Sequence, residues 1–171
     1  QDLLTASLGL NLGVDFLPGS FGFDTSTRVS DDFAGGLLWL DAYVANVDRS
    51  WRNPNLLVWH GHPWLIDHGA ALYFHHGWSG GVGDPQRFAV QPWDVADHIL
   101  STRAAQAVRR DEELAALVTD DVLETVVADV PDTWLTTVPG AESPDALRAA
   151  YVAFLRARRD GGRPWLPGRS S

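Results

Sequence analysis

Cysteine is absent from this sequence. That excludes disulfides, thiolate nucleophiles and cysteine-based zinc sites, and it fits a cytoplasmic protein. Methionine is absent too, and all 13 basic residues are Arg, so Lys is missing altogether. No apolar run approaches the roughly 20 residues of a membrane span. The opening "QDLLTASLGLNLG" lacks the basic n-region and cleavage pattern of a signal peptide. It reads as mid-helix at Gln1, so the expectation is a fragment or a truncated product. There is no internal repeat. Positive charge is scarce, with a net charge of -9. A nucleic-acid backbone is therefore not an expected partner, and a small anionic substrate would need local Arg or a metal ion.

What is present describes one domain. At 171 residues, with 45% hydrophobic and 20% charged residues, the chain can bury a sizeable core and has the composition of a soluble globular protein. Its 8 Trp need partners to bury against and read as packing residues. The expected order starts with a short strand at 13–17, ended by Pro18 and Gly19. A helix follows in "SDDFAGGLLWLDAYVANVD", capped by Ser30, Asp31 or Asp32. Its apolar face is Phe33, Leu37, Leu40, Tyr43 and Val44, and Gly35 and Gly36 are explained by close packing. The runs "LLVW" and "PWLI", joined by "HGH", read as a β-hairpin. A Gly/Pro-containing loop is expected over 79–92, then helices at 93–109, 111–117, 119–129 and 143–159, then a loose tail "GGRPWLPGRSS" over 161–171.

The chemistry-bearing residues cluster in "NVDRSWRNPNLLVWHGHPWLIDHG". Asp48 lies in a polar loop, Asn53 and Asn55 follow, and Asp67 and Gly69 come after the hairpin. Phosphoryl transfer needs a carboxylate to orient an acceptor hydroxyl, and hard oxygen ligands to hold Mg²⁺ against phosphates. Kinases supply these from a catalytic loop with an Asp and an Asn, and from an Asp-x-Gly after a hairpin. On that pattern Asp48 is the catalytic carboxylate and Asp67 a metal ligand. Asn55, just before the apolar strand, is the preferred second ligand, and Asn53, at the usual spacing, the other candidate. Asn46 and Arg49 flank Asp48 as residues that fix the loop or a phosphate.

The stretch "DAYVANVDRSWRNPNLLVWHGHPWLIDHGAALYFHH" resembles the HipA-like kinase family, and more distantly the phosphatidylinositol kinases. The dense match covers 37–76, and "GLNLGVDFLPGSFGFD" and the helices after 93 are similar to the same bacterial group. The resemblance implies an α+β protein-kinase-like fold: mostly the helical C-terminal lobe (1–160) with a short catalytic hairpin. It implies a connector at 1–30, the catalytic loop and hairpin at 31–76 and a helical part at 93–160. It also implies ATP and Mg²⁺ as cofactors, and a protein Ser/Thr or small-molecule hydroxyl as acceptor. Phe16 and Leu17 would then sit on a hinge strand lining the adenine. Such families carry an N-terminal lobe with a phosphate-pairing Lys. These 171 residues hold no Lys, so the expectation is half a kinase.

Two rival expectations stand beside it: a non-catalytic binding module of the same fold, and a metallohydrolase built from Asp67 and the imidazoles of His60, His62, His68, His75 and His76. Asp94, Asp97 and His98 are expected to form a capped, solvated helix start. The run 109–113, "RRDEE", is expected to form a solvated charged corner.

Overall fold

The computed structural model describes residues 2, 5 and 7–169; the expected mid-helix start at Gln1 lies outside them. The protein is α+β, with one small sheet against several helices. Strand β1 (Phe21–Gly22) is followed by α1 (Asp31–Tyr43), then the hairpin of β2 (Leu56–Trp59) and β3 (His62–Leu65). A 3-10 segment (Tyr73–Gly80) leads to α2 (Pro85–Val90), and a second (Ser101–Arg103) leads to α3 (Ala104–Leu117). The chain ends with α4 (Asp120–Ala128), a 3-10 turn (Asp132–Trp134) and α5 (Pro144–Asp160). The sheet is antiparallel in the order β1-β2-β3.

The first helix is the spine. Ser30 caps it, its Oγ accepting from Phe33 N–H at 3.1 Å, with Asp31 and Asp32 in the first turn where the helix dipole favours negative charge. The expected single apolar face is an underestimate. Leu37, Leu38, Trp39, Ala42 and Tyr43 are all buried, whereas Leu40 is 37% exposed. A helix buried most of the way round lies in the middle of its domain. Gly35 makes that possible: a Cβ there would lie 2.7 Å from the Gln106 carbonyl oxygen of α3. The hairpin forms with a two-residue turn, His60 (φ 49) and Gly61 (φ 78), the left-handed pair a type I′ turn requires. His62 is thereby the first residue of β3, opposite Trp59.

Four expectations are corrected. Residues 11–17 form no strand; the strand is Phe21–Gly22, paired with β2. The loop 79–92 contains α2, started by the Asp84 cap and Pro85 at its first turn, a start signal that the surrounding glycines mask. The helix expected from 93 begins only at Ala104 and runs unbroken to Leu117. Residues ahead of it are held in turns, because Asp94 Oδ1 takes the Ala96 N–H at 2.8 Å and His98 is drawn inward. Finally, the tail is packed. Trp165 and Leu166 are 1% and 3% exposed, and the Trp165 ring sits 5.6 Å from Trp39 and 5.9 Å from Tyr43, centroid to centroid.

Charge also enters the core. Arg158 is fully buried and donates to the carbonyls of Ala42, Phe88 and Gln91, with its guanidinium 4.3 Å over the Phe88 ring. Burial pushes it down to about 9, so it stays charged at neutral pH and ties α5 to α1 and α2. Asp111, expected in a solvated corner, is 5% exposed. It accepts from Trp39 Nε1 at 2.9 Å and from Arg163 Nε at 2.9 Å, which fastens the tail to α1 and α3.

Candidate functional site

A buried polar cluster sets the loop after α1. Asp41, in the last turn of that helix, is fully buried and accepts from Arg49 Nε at 2.7 Å, Asn46 Nδ2 at 2.9 Å and His98 Nε2 at 3.1 Å. The Leu100 N–H donates to His98 Nδ1 at 3.1 Å, so the ring proton lies on Nε2, facing Asp41. Burial alone would raise the Asp41 carboxyl. The His98 hydrogen bond, the Arg49 charge and the Asn46 amide outweigh it and hold the group below its ordinary value. Arg49 also donates through Nη1 to the Asn55 carbonyl and, at 3.5 Å, to the Ile66 carbonyl. Its Nη2 is buried without a hydrogen-bond partner among the described residues.

This cluster brings the two ends of the hairpin to the loop. Asn55 and Ile66, the residues flanking the strands, both turn their carbonyls to one Arg49 nitrogen, and the Ile66 N–H donates to the Asn55 carbonyl at 3.0 Å. The segment after the hairpin runs beside the start of the loop, through Val47 N–H to the Ala70 carbonyl at 3.4 Å and Leu72 N–H to the Val44 carbonyl at 2.8 Å. Asp67 follows Ile66 directly. Asp48 lies on the loop between the buried Asn46 and Arg49, its N–H donating to Asn46 Oδ1 at 3.2 Å.

Asp48 itself is half-buried. Its Oδ2 accepts from Asn53 Nδ2 at 2.8 Å and from Asn55 Nδ2 at 3.2 Å, so both candidate carboxamides meet the same oxygen. Among the described residues its Oδ1 accepts no hydrogen bond, and neither does Asn55 Oδ1. Asn53 is exposed; Asn55 is 7% exposed with its carbonyl doubly held. Asp67 is exposed and left-handed (φ 48), its Oδ1 taking the Gly69 N–H at 3.2 Å. Four oxygen-bearing side chains therefore share one end of the sheet.

Asn46 and Arg49 do not serve as cofactor contacts. Each is 1% exposed and bonded inward, so of the two roles expected for them, loop-fixing is the one the geometry allows. Phe16 is 85% exposed and Leu17 half-buried, on irregular chain. The turn after them is pinned to the far end of the hairpin by Trp59 Nε1 donating to the Pro18 carbonyl at 2.9 Å. They lie along the sheet from Asp48, not against it. The outer face of the sheet carries a row of Gly22, Leu57 and Trp64, directly opposite one another. A Cβ on Gly22 would meet nothing, and Trp64 is 44% exposed, which makes an open apolar platform.

Asp41 and His98 were the functional-region residues that sequence reasoning missed. An isolated acid in "LLWLDAYVA" was the available signal, since a buried carboxylate must be paired. His98, expected in a solvated helix start, is 6% exposed. Burial, then the Arg49 charge, pushes His68 down. Among the described residues no three His, Asp or Glu side chains are placed to hold a metal ion together, so no two of the histidines of 60–76 meet at Asp67. Beside the loop, a cleft of about 640 Å³ opens between residues 23–29 and 98–103, with Trp51 on its wall.

No family model, no curated protein and no solved structure matches this chain. Among the described residues, no helix is long and apolar enough to cross a membrane.

Proposed function

We propose that this chain is the helical lobe of a HipA-like, protein-kinase-like phosphotransferase that moves the ATP γ-phosphoryl group to a hydroxyl acceptor, a protein Ser/Thr or a small molecule. One observation carries the reading: Asp48, Asn55 and Asp67, distant in sequence, are drawn to one end of the hairpin by a buried Arg49 that holds the Asn55 and Ile66 carbonyls. Asp48 Oδ1 is free to accept the acceptor hydroxyl, while the Asn53 and Asn55 amides hold Oδ2 in place. As the acceptor oxygen bonds to the γ-phosphorus and the bond to ADP breaks, the hydroxyl proton passes to Asp48. Asn55 Oδ1 and the Asp67 carboxylate are hard oxygen donors of the kind that suits Mg²⁺, with Asn53 as the second carboxamide. Bound there, Mg²⁺ would neutralise charge on the phosphates. The Gly22-Leu57-Trp64 platform suits a flat base, and it lies two residues along β2 from Asn55, roughly 7 Å from the phosphate end at about 3.3 Å per residue. The cleft beside Trp51 is the place for the acceptor.

A second reading, nucleotide binding without transfer, rests on the absence of Lys from these residues. Thermal melting with and without Mg-ATP tests the first step. At about 100 Kd the ligand stabilises by about 2.7 kcal/mol, a rise of about 5–10 °C for a chain of this size. Asp67→Ala should remove the rise. Asp48→Asn should keep the rise and abolish phosphate transfer. Failure of both Mg-ATP and ATP to move the melting point sinks the phosphotransferase reading; binding with no transfer by the unaltered chain selects the second.

A further inference from the structure

Two loops face each other across the cleft beside Trp51, and the same tripeptide lies on each wall: Ser26-Thr27-Arg28 and Ser101-Thr102-Arg103. The cleft encloses about 640 Å³, ordinary for a small-molecule site. Asp24 shapes the first wall through Oδ1, which takes the Ser26 hydroxyl at 2.6 Å, the Ser26 N–H at 2.8 Å and the Thr27 N–H at 3.1 Å. Those bonds, the Ser26 hydroxyl first, hold the carboxyl below its ordinary value, so it is charged at neutral pH. Among the described residues Asp24 Oδ2 accepts no hydrogen bond, and the hydroxyls of Thr25, Ser101 and Thr102 make none. Arg28 lines the cleft, is exposed, and has no carboxylate partner among the described residues.

Charge balances across the cleft. Arg103 is committed to Asp31, which leaves one carboxylate, Asp24, against one guanidinium, Arg28. A charged ligand would be attracted by one and repelled by the other. A neutral ligand with several hydroxyls can donate to Asp24 Oδ2 and accept from Arg28 at once. Trp51 adds a flat apolar surface. It is 53% exposed, and Arg52, which does not line the cleft, lies 4.1 Å from the ring centroid, so one face is covered and the other is left for the cleft. An extended peptide finds little main chain to pair with, because the N–H groups of Phe23, Ser26, Thr27, Ile99, Leu100 and Ser101 are all taken within the protein. An apolar C–H face rimmed by neighbouring hydroxyls is the shape of a pyranose ring, and it matches an aromatic face beside a carboxylate and a guanidinium. We propose that this cleft binds a neutral sugar. Its ring stacks on Trp51, neighbouring hydroxyls donate to Asp24 Oδ2, and Arg28 with the Ser101 and Thr102 hydroxyls meets the others. That the sugar is the phosphoryl acceptor rests on the phosphotransferase reading; that it binds does not.

Glucose, mannose, galactose and maltose are the probes, titrated without nucleotide so that failure here and failure of the Mg-ATP melting shift are separate results. The readout is the Trp51 indole N–H resonance, which Trp51→Phe identifies by its disappearance. At least one of the four should shift it saturably, and cyclohexanol, a ring with one hydroxyl, should bind at least tenfold more weakly. By calorimetry, Asp24→Asn and Trp51→Ala, both at exposed positions, should each weaken that sugar tenfold or more with the circular dichroism spectrum unchanged. No shift by any of the four up to about 10 mM, a millimolar limit on affinity, overturns the proposal. So does cyclohexanol binding as tightly as the best sugar, or undiminished sugar binding in Trp51→Ala. A Ser/Thr-containing peptide that shifts the resonance where the sugars do not overturns it in favour of a protein acceptor. Should Asp24→Asn loosen the turn at 24–27, Trp51→Ala and the cyclohexanol comparison decide.

Discussion

Asp41→Ala probes the buried cluster most directly. The carboxylate is fully buried and accepts from Arg49, Asn46 and His98 at 2.7, 2.9 and 3.1 Å. Without it, Arg49 remains inside with Nε unpaired as well as Nη2. Removing one partner of a buried ion pair costs about 3–5 kcal/mol, and the Asn46 and His98 donors lose their acceptor as well. Water entering the vacated volume offsets part of that second loss, so a value of roughly 4 kcal/mol is expected, a large share of a total of about 5–15 kcal/mol. At about 2–4 °C per kcal/mol for this size, the melting point should fall by about 8–16 °C. Calorimetry and circular dichroism at neutral pH measure it. Arg52→Ala is the control: its partner Asp97 lies at 3.5 Å and both side chains are well exposed, so its loss should be under about 1 kcal/mol. The acid limb adds a second readout. Because Asp41 is held below its ordinary value of 3.8, its contribution is present above that pH and is lost as pH falls through the lowered value. Asp41→Ala should therefore lose less stability than the unaltered chain on strong acidification. A melting point within about 2 °C of the unaltered chain, on the same scale, would refute the claim that Arg49 depends on Asp41.

Other outcomes follow from the same coordinates. Asn55→Gly keeps the left-handed backbone that Asn55 adopts at φ 47 and should change stability by about 1 kcal/mol or less, yet it should abolish the Mg-ATP thermal shift; a retained shift removes Asn55 from the metal site. Gly35→Ala puts a Cβ 2.7 Å from the Gln106 carbonyl oxygen, backbone that cannot swing aside, and should destabilise by about 1–3 kcal/mol. Gly36→Ala meets only Arg110 Nη1 at 3.4 Å and should stabilise by up to about 1 kcal/mol; denaturant midpoints of the same sign contradict this. Trp165→Ala should cost about 3–5 kcal/mol, whereas a loose tail would cost nothing measurable. Burial, then the neighbouring His76 charge, pushes His75 below its ordinary 6.5. Its contribution is present above 6.5 and is lost as pH falls toward the lowered value, so His75→Gln should show a smaller drop in melting point between about pH 7 and pH 5.

Local chemistry was legible in the sequence, and long-range polar pairing was not. The hairpin could be read because two apolar runs flank a His-Gly pair that can both turn left-handed; only the end of the turn was misplaced, since "HGH" offers two equivalent His residues. The Ser30 cap was readable, but the partners of Asp41 stand 5, 8 and 57 positions away, and no window joins them. His98 was read as solvated for the same reason, and the helix start at 93 was wrong because a histidine bonded inward holds that segment in turns. The tail misled through its Pro and Gly, which read as looseness, though they form the turn that delivers Trp165 to Trp39 and Tyr43. Asp48, Asn53, Asn55 and Asp67 could be picked out by order and residue type. That Arg49 points inward, and so gathers three of them, is a property of the fold.

The two ends of the hairpin make the physical case together. Asn55 and Asp67 are both left-handed, at φ 47 and φ 48, a conformation costing about 1–2 kcal/mol for most L-residues and least for Gly, Asn and Asp. If backbone shape were the only demand, Gly would meet it at both places more cheaply. Side-chain oxygens stand there instead. The bonds that hold the strained backbones, Arg49 to both flanking carbonyls and Asp67 Oδ1 to the Gly69 N–H, leave Asn55 Oδ1 unused. Left-handed backbone kept in place by a buried cation, beside oxygens with no partner among the described residues, is what the proposed ligand site would require. The proposed phosphotransfer gives those oxygens their use, and it explains why the fixed end of the sheet, rather than its exposed turn, carries the carboxylates.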